Sequence, residues 1–211
     1  MCLALTYVKN TLLLASGHEN GQLYVHTQNP DFTWTRTYTA TPHTQPLLSL
    51  AFSPSNDYIF TSGADSTISR HAVSSILEPS SDSSSPAEVR TVQTKHSGQQ
   101  SLTIRSDSKI FATAGWDARV RIYSTRTLQE LAVLKWHKEG CYAVAFASIL
   151  DVPFPDSGSE QVEGSEASRE LVRGGSSGVE GVRRAREAKV RNTHYVAAGS
   201  KDGKVSLWDI Y

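Results

Sequence analysis

The chain has 211 residues, enough to bury a core of its own, with 21 Lys+Arg set against 21 Asp+Glu. That balance leaves no net field drawing it to nucleic acid or an anionic membrane, and no nucleic-acid motif accompanies it. Cys2 and Cys141 are too few and too far apart for a disulfide framework or a zinc site, which favours a reducing compartment. No apolar run approaches the roughly 18 residues of a membrane span. The opening Met1–Tyr7 lacks the basic region and cleavage site of a signal peptide, so a soluble intracellular chain is expected.

In chain order, the first unit (about 1–40) opens with strand Leu3–Tyr7 and a second strand ending Leu14-Ala15-Ser16-Gly17. A tight turn through Asn20-Gly21 leads to the alternating strand Gln22–His26 and a weaker strand Trp34–Tyr38. The second unit (43–95) repeats this with Leu47–Phe52, Phe60–Gly63, a turn at Asp65-Ser66, Thr67–His71 and Val89–Thr94. Before its last strand lies 78–88, with five serines and two prolines, which reads as a solvated loop. The third unit (96–135) runs Ser101–Ile104, Ala112–Gly115, Trp116-Asp117-Ala118, Arg119–Tyr123 and Leu128–Leu134. The fourth (137–211) has Cys141–Phe146, Ala197–Gly199, a turn through Asp202-Gly203, and Lys204–Trp208. Asn-Gly and Asp-Gly mark hairpins because both central residues tolerate positive φ, and period-2 alternation marks half-buried strands. The apolar first strands of units two and four are expected to be buried on both faces.

The turn residues Asn20, Asp65, Asp117 and Asp202 recur at intervals of 45, 52 and 85. Setting aside the 42 polar, Gly/Ser-rich residues 151–192 brings the last interval to 43. Four short strands in about 40–45 residues is the propeller-blade period. The low-complexity insertion 151–192 holds six acids against one Arg through Glu170, then six basic residues against two acids. It reads as a disordered, self-neutralising loop or as a partner-binding arm with Val179–Val190 helical.

Trp208-Asp209 forms a WD dipeptide, and His43, His96 and His137 each precede the first strand of units two to four. On these residues the chain resembles the WD-repeat family. The resemblance implies an all-β propeller, with four blades present as part of a seven-bladed ring. It also implies that an inter-blade His hydrogen-bonds the Asp of the following tight turn: His43 with Asp65, His96 with Asp117, and His137 with Asp202. A Ser/Thr and a Trp, here Trp208, extend that network. A buried Asp needs such a partner, because an unpaired charge away from water is costly. His26, His71 and Tyr123 stand where the family has Trp, which weakens the network in those blades.

His–Asp pairs near serines also invite a hydrolase reading. They repeat once per unit at similar offsets, as structural parts do, and no Gly-x-Ser-x-Gly elbow is present. Metal spacing and phosphate-cradling loops are missing too, so no catalytic, metal or cofactor site and no small-molecule substrate is expected. A binding surface is the better expectation. Trp116, Trp136, Lys138 and Glu139 fall in loops that share one face, and exposed Trp beside charge is the composition of an interface hot spot. Trp136 packing between blades is the alternative. The insertion should leave from the opposite face.

The runs Ala114–Tyr123, Leu131–Phe146 and Ala198–Tyr211 resemble the carboxy-terminal half of the fungal ASTRA-associated WD-repeat proteins. That resemblance implies a nuclear scaffold whose partners are the other subunits of the ASTRA complex. It further implies a part in chromatin remodelling and in maturation of phosphatidylinositol-3-kinase-related kinases. A ubiquitin-ligase substrate receptor or trafficking adaptor is the alternative. A chain beginning in a first strand and stopping after a third strand is expected to be an incomplete propeller, leaving apolar end faces to be covered.

Overall fold

The computed structural model describes residues 1–77, 89–149, 193–210 and, within the insertion, 182, 183, 186, 187 and 190. Fifteen strands among them form four antiparallel meanders. The first sheet is β1 (Cys2–Val8), β2 (Thr11–Gly17), β3 (Leu23–Gln28) and β4 (Trp34–Ala40). The second is β5 (Leu47–Phe52), β6 (Tyr58–Gly63), β7 (Thr67–Ala72) and, after helix α1 (Val73–Leu77), β8 (Val89–Gln93). β9 (Gln99–Ile104), β10 (Ile110–Gly115), β11 (Arg119–Ser124) and β12 (Glu130–Lys135) make the third. The fourth has three strands, β13 (Cys141–Phe146), β14 (Tyr195–Ser200) and β15 (Val205–Asp209). Among the described residues the architecture is all-β apart from one short helix and the helical residues between 182 and 190.

First strands of successive sheets pack side by side, β1 with β5, β5 with β9, and β9 with β13. Between neighbouring sheets lie three apolar clusters. Leu13, Leu23, Val25, Leu47 and Ile59 join the first two sheets. Phe60, Ile68, Phe111 and Tyr123 join the second and third, with Phe111 and Tyr123 stacked at 5.1 Å. Ile110, Val120, Ile122, Val144 and Val196 join the third and fourth. Each fully buried aliphatic or aromatic side chain contributes about 1.5–3 kcal/mol. Outer strands β4, β8 and β12 expose most of their residues and so carry little apolar signal.

A β-bulge recurs at the start of the first strand in sheets two to four. Leu48, Gln100 and Tyr142 are the extra residues opposite a continuous β6, β10 and β14. A bulge bends and twists a strand, here where each inter-sheet loop delivers its side chains.

Two expectations need correction. β13 is not buried on both faces: Tyr142, Ala143 and Ala145 are exposed, because no described strand packs over that side. Helix α1 was not foreseen; it buries Val73 and Ile76 in the first cluster, where three-residue spacing puts both on one face. Apolar side chains also stand open at the first sheet, with Leu3 65%, Leu5 58% and Tyr7 66% exposed along β1. On β15, Val205 is 71% and Leu207 64% exposed. The Ser-rich loop 78–88 and most of the insertion 151–192 lie outside the described residues; those described between 182 and 190 are helical.

Candidate functional site

The inter-sheet loops and the second-to-third-strand turns meet on one face. Backbone bonds tie them: Leu47 N–H donates to His18 O (3.1 Å), Ala64 to Pro46 O (2.9 Å), Trp116 to Gly98 O (3.0 Å) and Lys201 to Gly140 O (3.0 Å). On this face each turn residue sits above a cross-strand pair formed by the residues four before and four after it. The pairs are Ser16↔Tyr24, Thr61↔Ser69, Thr113↔Arg121 and Ala198↔Ser206. Their identity decides how each turn carboxylate or amide is held.

In the second sheet the set is complete and buried. His43 Nδ1 lies 2.9 Å from Asp65 Oδ1, and its Nε2 lies 3.0 Å from Thr61 Oγ1. A carboxylate only accepts, so Nδ1 carries the proton. Thr44 N–H donates to Asp65 Oδ2 at 2.9 Å and Thr67 N–H to Oδ1 at 3.0 Å, so a nearly buried charge is fully satisfied. Gly63 makes the approach feasible, since a Cβ there would sit 2.8 Å from His43 Nδ1.

The third sheet does it otherwise. Arg121, 1% exposed, reaches Asp117 with two nitrogens, at 3.1 and 2.5 Å, and its Nε lies 3.4 Å from Glu130. His96 stands 3.7 Å from Asp117 with its side chain 42% exposed and makes no hydrogen bond to it. The expected His96–Asp117 bond is therefore corrected: a buried guanidinium has the stronger claim on the carboxylate, because bidentate charge-assisted bonds outweigh a solvated imidazole. Burial raises the Asp117 carboxyl, but Arg121, with help from His96 and Arg119, outweighs it and holds the group below the usual carboxylate range. Arg121 is the residue that the sequence reading missed. Its signal was a lone Arg four residues past the turn Asp, in a column otherwise Tyr24, Ser69 and Ser206.

In the fourth sheet the hydroxyl has changed strands. Ala198 takes the place of Thr61, and Ser206 on β15 bonds His137 Nε2 at 2.7 Å. His137 Nδ1 is 3.5 Å from Asp202 Oδ1 without hydrogen-bond geometry, and is a buried atom with no bonded partner. Trp208 meets the His137 ring edge-on at 6.2 Å. In the first sheet Asn20 caps its own turn, its Oδ1 accepting from Gln22 N–H at 3.2 Å. Where the family has Trp, His71 is wholly buried against Tyr38, whose hydroxyl is 3.0 Å from Nδ1. Burial, assisted by His43, lowers its pKa to about 4.

Thr61–His43–Asp65 and Ser206–His137–Asp202 follow the order hydroxyl, imidazole, carboxylate. His43 bonds both Asp65 and Thr61 through its two ring nitrogens, whereas His137 bonds Ser206 but not Asp202, and both hydroxyls are buried, Thr61 at 0% and Ser206 at 8% exposed. Among the described residues no group of His, Cys, Asp or Glu is placed to hold a metal. No described helix is long and apolar enough to cross a membrane.

The open chemistry of this face lies around the third and fourth sheets. Trp116 is 45% and Trp136 54% exposed, and Lys138 and Glu139 are exposed beside them. Trp116 is oriented by Nε1–H donating to Gln100 Oε1 (2.8 Å) and rests on Gly98, where a Cβ would come within 2.3 Å of the ring. Trp136 is open rather than packed between sheets. It borders a cleft of about 380 Å³ lined by Asp117, Ala118, Arg119, Lys135, His137 and Lys138.

Comparison with known proteins agrees with this architecture. The WD domain, G-beta repeat, matches residues 34–69, 88–124 and 180–209. Proteins called ASTRA-associated protein 1 align with most of the chain: 46% identical in Verticillium alfalfae over 100% of it, 44% in Aspergillus niger over 95%, and 44% in Aspergillus flavus over 95%. The chain spans about half the length of these curated relatives, 50%, 50% and 48% respectively. With WD repeats matched in three segments and relatives of this closeness, the chain belongs to the WD-repeat family.

Proposed function

We propose that the chain is a non-catalytic scaffold holding other subunits of an ASTRA-type complex in the nucleus. Its role there is in chromatin remodelling and in maturation of phosphatidylinositol-3-kinase-related kinases. The complex is suggested by the name that the relatives carry. The scaffold role rests on one contrast: the hydroxyl–His–Asp sets are closed to solvent, while aromatic and apolar side chains stand open on three surfaces. These are Trp116 and Trp136 on the loop face, Leu3, Leu5 and Tyr7 on β1, and Val205 and Leu207 on β15. Exposed apolar patches of this kind mark protein contacts. Part of a seven-bladed propeller is the setting in which the two sheet surfaces would be covered by further blades.

Affinity purification of the tagged chain from its source organism tests the reading. The expected result is stoichiometric recovery of ASTRA subunits. Recovery of a ubiquitin ligase or trafficking complex in their place overturns the assignment. Hydrolase activity lost on His137→Ala, in a variant with native melting, overturns the non-catalytic part.

A further inference from the structure

The cleft beside Trp136 is more basic than a chain of zero net charge leads one to expect. Arg119, Lys135 and Lys138 converge on it, and Lys204 Nζ stands 5.8 Å from the Trp136 ring centre. Lys135, Lys138 and Lys204 are exposed and Arg119 is half-buried. Asp117, the carboxylate in the lining, is engaged twice by Arg121 and lies 3.8 Å from Arg119 Nε, so it offsets Arg119 in part and leaves Lys135 and Lys138 to be met by a ligand. A second observation comes from the ladder: Arg119 and Lys135 are direct partners across β11 and β12. Like charges facing each other weaken a sheet, and with Asp117 shared between Arg119 and Arg121, a further anion beside Lys135 eases that repulsion.

We infer that this cleft docks an acidic linear segment of a partner protein, with carboxylates on Arg119, Lys135 and Lys138 and an apolar side chain against Trp136. The inference rests on the scaffold reading above and gives the chemistry of one partner. Nucleic acid fits less well. Strand binding uses successive open aromatic faces, whereas Trp116 is seated on Gly98 and Trp136 stands as a single open ring at the cleft.

The test is fluorescence anisotropy on the full chain with a labelled peptide of glutamates flanking two leucines. The control probe has every glutamate replaced by glutamine. The acidic peptide should bind, weaken steeply as salt rises, and lose about tenfold in affinity when Lys135→Ser and Lys138→Ser are combined. Lys109→Ser, an exposed cation in the β9–β10 turn at the other end of the strands, should bind as the native chain does. Thermal melts establish that each variant is folded. Equal binding of the glutamine peptide, or unchanged affinity in the double variant, overturns the inference; so does an oligouridine that binds more tightly through the same lysines. The scaffold reading is scored separately by subunit recovery. Partners that still co-purify with a chain blind to the acidic peptide sink the cleft and leave the scaffold standing.

Discussion

The second and third sheets answer the same question with different chemistry. Both must hold a turn aspartate above a β-hairpin. In the second, a neutral cross-strand pair, Thr61↔Ser69, leaves room for His43 to enter from the preceding loop and satisfy Asp65. In the third, Arg121 fills that room from within the sheet, and the loop histidine, His96, is displaced toward solvent. One residue on β11 thus converts an inter-sheet clasp into an intra-sheet one. It also releases the loop that carries Lys95 and His96 from the duty that fixes His43.

The sharpest way to break the comparison is Asp117→Ala. It strands the Arg121 guanidinium, 1% exposed, with only the longer Glu130 contact. Breaking a buried pair costs about 3–5 kcal/mol, and partial exposure of Asp117 favours the lower end. A loss of about 3 kcal/mol should appear as a drop of roughly 6–12 °C in melting temperature. A drop under about 3 °C would mean that Glu130 alone can hold the arginine.

Acid should separate the sheets next. His71 in the second sheet has its pKa lowered to about 4, first by burial and then by His43. The unfolded chain takes up this proton near pH 6.5 and the folded chain only near 4, so stability present above pH 6.5 falls as pH drops through that window. The full loss is about 3 kcal/mol. Asp117 has a depressed carboxyl, so its contribution is lost only below the ordinary carboxylate range, outside the His71 window. Urea melts between pH 7 and pH 4 should therefore show a decline that His71→Phe abolishes. A decline that survives in His71→Phe would move the acid sensitivity elsewhere.

The two loop histidines give the third contrast. His43→Ala leaves Asp65 and Thr61 buried without their shared partner and opens a cavity, for a loss of about 2–3 kcal/mol. His96→Ala removes a partly exposed ring without a hydrogen bond to Asp117, and should lie within about 0.5 kcal/mol of the native chain. Chemical denaturation of both variants decides the matter. Equal losses would show that His96 supports Asp117 as His43 supports Asp65.

What the sequence made legible follows from where its signals are local. Alternation and turn chemistry placed the strands to within a few residues, because period 2 and the Asn-Gly and Asp-Gly turns are written into adjacent residues. The exposed face of β13 was not legible: Cys141–Phe146 is apolar whether or not a neighbour covers it. Helix α1 is one turn long, too short for a periodic pattern, and forms because Val73 and Ile76 find a cluster ready-made by Leu13 and Ile59. The His96 error has a different origin. The family's offset names a partner for Asp117, but the partner is chosen by competition, and the stronger competitor sits four residues along the same hairpin.

A small gain in stability, in place of a loss, probes the turn that these two solutions share. Ala118 has φ 65, a left-handed conformation that costs a residue with a Cβ, and at the same offset Gly21 (φ 78) and Gly203 (φ 74) adopt it freely. The second sheet has Ser66 there with no positive φ, so the strain belongs to the third sheet alone among the Asp turns. Ala118→Gly should raise stability by about 0.5–1 kcal/mol, with the gain offset in part by a freer unfolded chain. Strain of this size persists where surrounding contacts over-determine the backbone, and Ala118 lines the basic cleft between Arg119 and Trp136. If Ala118→Gly stabilises the chain but loosens the acidic peptide, the strained turn is holding Arg119 in place. If it does neither, the bidentate grip of Arg121 on Asp117 fixes the turn by itself.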